Sequence, residues 1–127
     1  MLVKDRLVED PFGTHIHNIP AVNLTRKGDI MAIRLIVTIT AAPGRGSELA
    51  QAYKGRCAEV MREPGCEQFE VFQSVVNPDK LALLERWINK AALDVHAKAN
   101  STRPPLPTEL RAEGRPERED YEYNRTR

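Results

Sequence analysis

Hydrophobic residues occupy every second position of IRLIVTIT, residues 33–40, from Ile33 to Ile39, and Ile36 lies between them. The period of two and the wealth of Ile, Val and Thr predict a β-strand. One face would carry Ile33, Leu35, Val37 and Ile39, and the other Arg34, Ile36, Thr38 and Thr40.

The strand pattern ends at AAPGRG, and the hydrophobic residues that follow are spaced as in a helix. The residues Leu49, Tyr53, Cys57 and Val60 share one stripe of a helix over about 48–62. We expect Ser47 to cap this helix and EPG, residues 63–65, to end it.

The stretches 66–76 and 81–87 read as strands, and the NPDK sequence between them is typical of a tight turn. Asn89 is placed to cap a second helix over about 90–100, with Leu93, His96 and Asn100 on one side. RPPLP ends this helix. The charged segment 117–125 suits a final edge strand.

This βαββαβ order predicts an α+β, ferredoxin-like antiparallel sheet with both helices on one face. We assign it to residues 31–127 and treat residues 1–30, which show no sustained period, as an N-terminal extension. Met31 is a second plausible start.

The sheet face away from the helices is also apolar, since Ile36, Phe72, Val76 and Leu84 fall on it. A sheet that is apolar on both faces needs cover on both. A second copy of the same sheet, related by a two-fold axis, would supply it, so we expect a homodimer.

Composition and charge argue against a nucleic-acid partner and against a membrane span. A chain of 127 residues with a formal net charge of +1 fits one domain and gives no basic stripe for a nucleic acid. No apolar run approaches the roughly 20 residues of a membrane span. Two cysteines, Cys57 and Cys66, make no disulfide framework, so we expect buried thiols and a cytoplasmic protein.

The stretch EPGCEQFEVFQSVVNPDKLALLERWINKAALDVH, residues 63–96, resembles the antibiotic biosynthesis monooxygenase (ABM) family, which includes quinol monooxygenases. The matching features are PGC after the first helix, an aromatic-rich strand, a hairpin turn, and ER-W followed by ALD-H. The resemblance covers about residues 31–101. It implies a dimeric α+β barrel and oxidation of a small phenolic or quinol-type aromatic compound by O₂ without a cofactor.

The resemblance makes His96 the candidate catalytic base, because an imidazole can accept a proton near neutral pH. The alternative is a packed helix histidine bonded to a neighbour. Many family members carry a second histidine five residues later, where this chain has Ser101. The haem-degrading branch is disfavoured because the first strand lacks its asparagine and His96 stands at its helix tryptophan.

Five further residues are candidates for binding the substrate. Trp87, Tyr53 and Phe72 could wall an apolar pocket, although Trp87 also suits a purely structural role. Arg34 is a possible anion clamp, and Glu85 could instead pair with it or with Arg86 across the sheet.

No cofactor or metal is expected. PGRGSE lacks phosphate-loop spacing, and His15 and His17 provide only two ligands. A ligand-binding or structural dimer without catalysis is the second hypothesis, because one fold hosts many functions.

Overall fold

The structure, a computed structural model, describes residues 31–124 and 126 together with the backbone of residues 2–9 and 16–23. The elements are β1 Leu2–Glu9, β2 Ile16–Asn23, β3 Ala32–Thr40, α1 Gly46–Val60, β4 Cys66–Gln73, β5 Lys80–Trp87, α2 Lys90–Asn100, a 3-10 turn Thr108–Leu110, and β6 Glu117–Tyr123.

Strands β3 to β6 form one antiparallel sheet in the order β4-β5-β3-β6. The two helices pack on one face of it, which is the ferredoxin-like α+β arrangement that the sequence predicts. The charged β6 lies at an edge of the sheet, as expected.

The hydrophobic core lies between the helices and this face of the sheet, which we call the helix face. Leu35 and Ile39 of β3 are buried there beside Leu81 and Trp87 of β5 and Leu49 of α1. The predicted alternation along β3 and the predicted inward stripe of the first helix are both confirmed.

The two helices begin in different ways. Asn89 caps α2 as predicted, because its side chain accepts a hydrogen bond from the Ala92 amide at 2.9 Å. The prediction that Ser47 caps α1 is wrong. The Asp79 carboxylate of the β4–β5 turn instead accepts from the Gly44 and Gly46 amides at 2.9 and 3.0 Å.

Close approach explains why that turn can reach the first helix. A Cβ on Gly46 would lie only 1.8 Å from the Pro78 carbonyl oxygen, so no other residue fits here without a shift. The turn and the start of α1 are therefore in direct contact.

The face of the sheet away from the helices, which we call the open face, carries Ile36, Leu84 and Phe72. Phe72 is 46% exposed. Val76 does not belong to this face as expected, because β4 ends at Gln73 and Val76 lies in the turn.

The N-terminal region contains a hairpin that the sequence did not predict. Strands β1 and β2 pair antiparallel as a sheet of their own. His15 lies outside the described residues and only the backbone of His17 is described, so the pair of histidines is not placed by the structure.

Both cysteines are free thiols, Cys66 buried and Cys57 half-buried. Burial raises the pKa of the Cys66 thiol to about 12. None of the helices in the described part of the chain has the length and apolar character to cross a membrane.

Candidate functional site

A cavity of about 320 Å³ opens on the helix face, between both helices and the sheet. Its walls come from α1, β4, β5, α2 and the segment that follows α2. The lining residues are Tyr53, Arg56, Phe69, Leu83, Glu85, His96, Asn100, Arg103, Pro105, Leu106 and Arg111. This volume lies at the lower end of the roughly 300–1,000 Å³ of small-molecule sites.

His96 forms part of the wall and is only 6% exposed. Its Nδ1 lies 3.0 and 3.1 Å from the two carboxylate oxygens of Glu63. An ionised carboxylate can only accept hydrogen bonds, so we assign the proton to Nδ1. The lone pair of the neutral ring is then on Nε2.

A glycine places Glu63 beside this histidine. Gly65 has a positive φ of 80° and packs against α2, where an added Cβ would lie 2.6 Å from the Ala92 Cβ. Ala92 precedes His96 by one helical turn. The EPG sequence therefore ends α1 as predicted and also brings its glutamate to the histidine.

Arg103 binds the same carboxylate. Its Nη1 lies 2.9 Å from Glu63 Oε2, and its Nε donates to Glu59 at 3.0 Å. The side chains of Glu63 and Arg103 are each 14% exposed. His96, Glu63 and Arg103 thus form a largely buried chain of charged and polar groups.

Aromatic rings hold the imidazole from two sides. The Trp87 ring centroid is 4.6 Å from that of His96 at an interplanar angle of 31°, and the Phe69 centroid is 5.6 Å away. Trp87 is fully buried behind the histidine. Its Nε1 donates to Glu85 Oε1 at 3.0 Å.

Glu85 is a buried acid in the cavity wall, 5% exposed. Burial raises the pKa of this carboxyl, while the Trp87 hydrogen bond and the nearby His96 act in the opposite direction. Burial of a carboxyl favours its neutral form.

Tyr53 brings a phenol into the cavity from α1. Burial raises the pKa of this hydroxyl, and the positive charges of Arg111 and Arg56 partly oppose the shift. The phenol therefore stays protonated at neutral pH and can donate a hydrogen bond.

The structure groups only some of the residues chosen from the sequence. His96, Tyr53 and Glu85 line the cavity, and Trp87 packs directly behind His96. Arg34 and Phe72 lie on the open face, so neither one faces this cavity.

The pairing of Glu85 with Arg34 or Arg86 is wrong because Glu85 is on the helix face. Arg34 and Arg86 are opposite each other on neighbouring strands of the open face. Arg34 donates instead to Gln68 at 2.6 Å.

Four charged residues of the site escaped the sequence analysis: Arg56, Glu63, Arg103 and Arg111. Nothing in the neighbouring sequence indicates that these residues meet at one site. Glu63 and His96, for example, are 33 positions apart. The side chain of Ser101, at the position of the second family histidine, is exposed and donates to the Lys98 carbonyl at 2.6 Å.

The fold and this cavity define a small ferredoxin-like α+β protein with a pocket between its helices and its sheet. The model of the antibiotic biosynthesis monooxygenase family matches residues 32–103. The chain belongs to this family.

Solved structures have the same fold. A conserved protein from Methanosarcina mazei is 27% identical, with a TM-score of 0.64 over 75% of this chain and 95% of its own. The protein PA3566 from Pseudomonas aeruginosa is 24% identical, with a TM-score of 0.61 over 75% of this chain and 96% of its own.

A third structure, described as an antibiotic biosynthesis monooxygenase, is 18% identical, with a TM-score of 0.61 over 73% of this chain and 99% of its own. The comparison with curated proteins gave no match.

Proposed function

We propose that this protein is a cofactor-independent monooxygenase that oxidises a small phenolic or quinol-type aromatic compound with O₂. Membership of the monooxygenase family supports the reaction class. The observation that carries the proposal is the buried Glu63–His96 pair in the wall of a cavity of about 320 Å³.

His96 is the base in this proposal. With Nδ1–H directed to Glu63, its Nε2 is available to take a proton from the substrate. The Glu63 carboxylate stabilises the imidazolium that forms, as a buried acid does for other catalytic histidines.

Proton removal leaves an electron-rich substrate anion, which passes one electron to O₂. The resulting substrate radical and superoxide combine, and the proton held by His96 returns to give a hydroperoxide. Loss of water leaves one oxygen atom in the product. For a quinol, the sum is quinol plus O₂ giving hydroxyquinone plus water.

Oxygen uptake against a panel of hydroquinones and anthrones tests the proposal. Replacing His96 with Ala should lower turnover by about 10² or more if it is the base. His96→Gln, which keeps a polar side chain in the cavity, separates loss of the base from loss of packing.

The second hypothesis, a ligand-binding dimer without catalysis, makes the opposite prediction. If no substrate in the panel consumes O₂ above the background, or if His96→Ala turns over at the normal rate, the catalytic assignment is wrong. Ser101 at the second histidine position is the feature that favours this hypothesis.

We also propose that the protein forms a homodimer through the open face. Phe72 and Tyr121 on this face are each 46% exposed. A second copy would cover these rings. Sedimentation at micromolar concentration should give twice the monomer mass, and monomers would refute this arrangement.

Residues 1–30 are proposed as an extension to a catalytic domain of residues 31–127, one that crosses to the partner or lengthens the sheet edge. The family match begins at residue 32, in support of this boundary. A chain starting at Met31 should keep its fold and its oxygen uptake. The free thiols favour the cytoplasm as its location.

A further inference from the structure

Two arginines in the cavity have no carboxylate partner among the described residues. Arg56 donates from Nη2 to the Pro104 carbonyl at 2.5 Å, which satisfies a proton but leaves the charge uncompensated. The buried Nε of Arg111 has no hydrogen-bond partner within residues 31–124. Arg103, by contrast, is held by Glu59 and Glu63.

The backbone fixes the position of Arg111. It follows the 3-10 turn Thr108–Leu110, in which Leu110 is buried, and it forms a β-bridge with Ala41. Its side chain begins from an anchored segment rather than from a free loop. A guanidinium that lines a cavity without a carboxylate partner attracts an anionic ligand.

The acid in the cavity wall forms no ion pair with either arginine among the described residues. Glu85 is engaged by the Trp87 indole at 3.0 Å. Burial raises the pKa of the Glu85 carboxyl and so favours its neutral form. The Tyr53 phenol adds a hydrogen-bond donor near the Arg56 and Arg111 charges.

We propose that the substrate carries a carboxylate, which binds to Arg111 and Arg56 while its aromatic ring lies toward His96 and Phe69. Guanidinium and carboxylate groups form short, charge-assisted hydrogen bonds of matched geometry. This inference rests on the proposed function for the aromatic ring, whereas the carboxylate follows from the cations alone. A phenolate could supply the same negative charge, so the test must separate the two.

Titration calorimetry with three probes of similar shape makes this test. The probes are 2,5-dihydroxybenzoate, its neutral amide, and hydroquinone. We expect the carboxylate to bind at least about tenfold more tightly than the amide at neutral pH. Equal affinities would overturn the proposal. Amide affinity that rises with pH as its phenol ionises, to match the carboxylate, would assign the charge to a phenolate.

Variants of Arg111 test whether this residue binds the carboxylate. Arg111→Gln should abolish the preference for the carboxylate, and Arg111→Lys should keep part of it because the charge remains. Arg62→Gln removes a positive charge from the exposed turn that follows α1 and should change nothing. If Arg62→Gln and Arg111→Gln weaken binding equally, the preference arises from overall charge and the site assignment is wrong.

Oxygen uptake separates this inference from the proposed function. Tight, Arg111-dependent binding of the carboxylate without oxygen uptake by any probe would keep the inference and contradict the monooxygenase. Uptake with hydroquinone and no preference for the carboxylate would keep the monooxygenase and overturn the inference.

Discussion

The helix face and the open face of the sheet are built from the same four strands, yet within the described chain only the helix face is covered by helices. Leu35 and Ile36 are neighbours on β3, and Leu35 is buried whereas Ile36 is half-buried. On the helix face, His96 is paired with Glu63 and Glu85 with Trp87. On the open face, the rings of Phe72 and Tyr121 are each 46% exposed.

Alternation along one strand therefore places the residues that form the core on one face and the residues of a possible interface on the other. Odd-numbered positions of β3 build the core that supports the cavity, and even-numbered positions present a surface suited to another copy. A substitution at an odd-numbered position of β3 should therefore affect folding, and one at an even-numbered position should affect association.

We expect the greatest loss of stability at Leu35 and a much smaller one at its neighbour Ile36. Leu35→Ala should lower the free energy of unfolding by about 2–5 kcal/mol, because it removes a side chain that is 1% exposed and leaves a cavity. Ile36→Ala should cost less in dilute protein, and its cost should grow with protein concentration if the open face binds a second copy.

Urea unfolding at two protein concentrations measures both variants. Equal losses for Leu35→Ala and Ile36→Ala at each concentration would mean that the open face is packed within the subunit, and the contrast between the faces would disappear.

The sequence was sufficient for what depends on near neighbours. Alternation gave the faces of β3, and Asn89 could be recognised as a cap because it bonds an amide three residues away. Asp79 was missed as the cap of α1 because it stands 33 residues from Gly46.

The site follows the same rule. His96 was visible by its residue type, but its partner Glu63 is 33 residues away and is brought to it only by the packing of Gly65 on α2. Arg111 lies in an irregular segment with no period to indicate its direction.

The N-termini of the two helices should differ in how much a capping substitution lowers stability. Asn89→Ala should cost about 1 kcal/mol, since it removes a buried N-cap, whereas Ser47→Ala should cost only a few tenths of that because Ser47 makes no cap bond. Urea unfolding of both variants is the measurement. A loss for Ser47→Ala as large as that for Asn89→Ala would contradict the capping by Asp79.

The last prediction concerns how the stability contributed by one buried acid, Glu85, depends on pH. Burial raises the pKa of Glu85 in the folded state, so ionising it above the ordinary carboxyl value near 4.3 costs folded stability, and the cost is absent when both states are protonated. Glu85→Gln keeps an oxygen that can accept from Trp87 but cannot ionise. Its stability relative to the natural chain should therefore rise as the pH increases from about 4 to 7.

Glu113→Gln, at an exposed position in the loop before β6, is the matched control for Glu85→Gln. Thermal unfolding across this pH range should show the pH-dependent gain for Glu85→Gln and none of that size for Glu113→Gln. Parallel curves for both variants would mean that Glu85 is as well solvated as an acid in an exposed loop, and that the cavity wall is open to water.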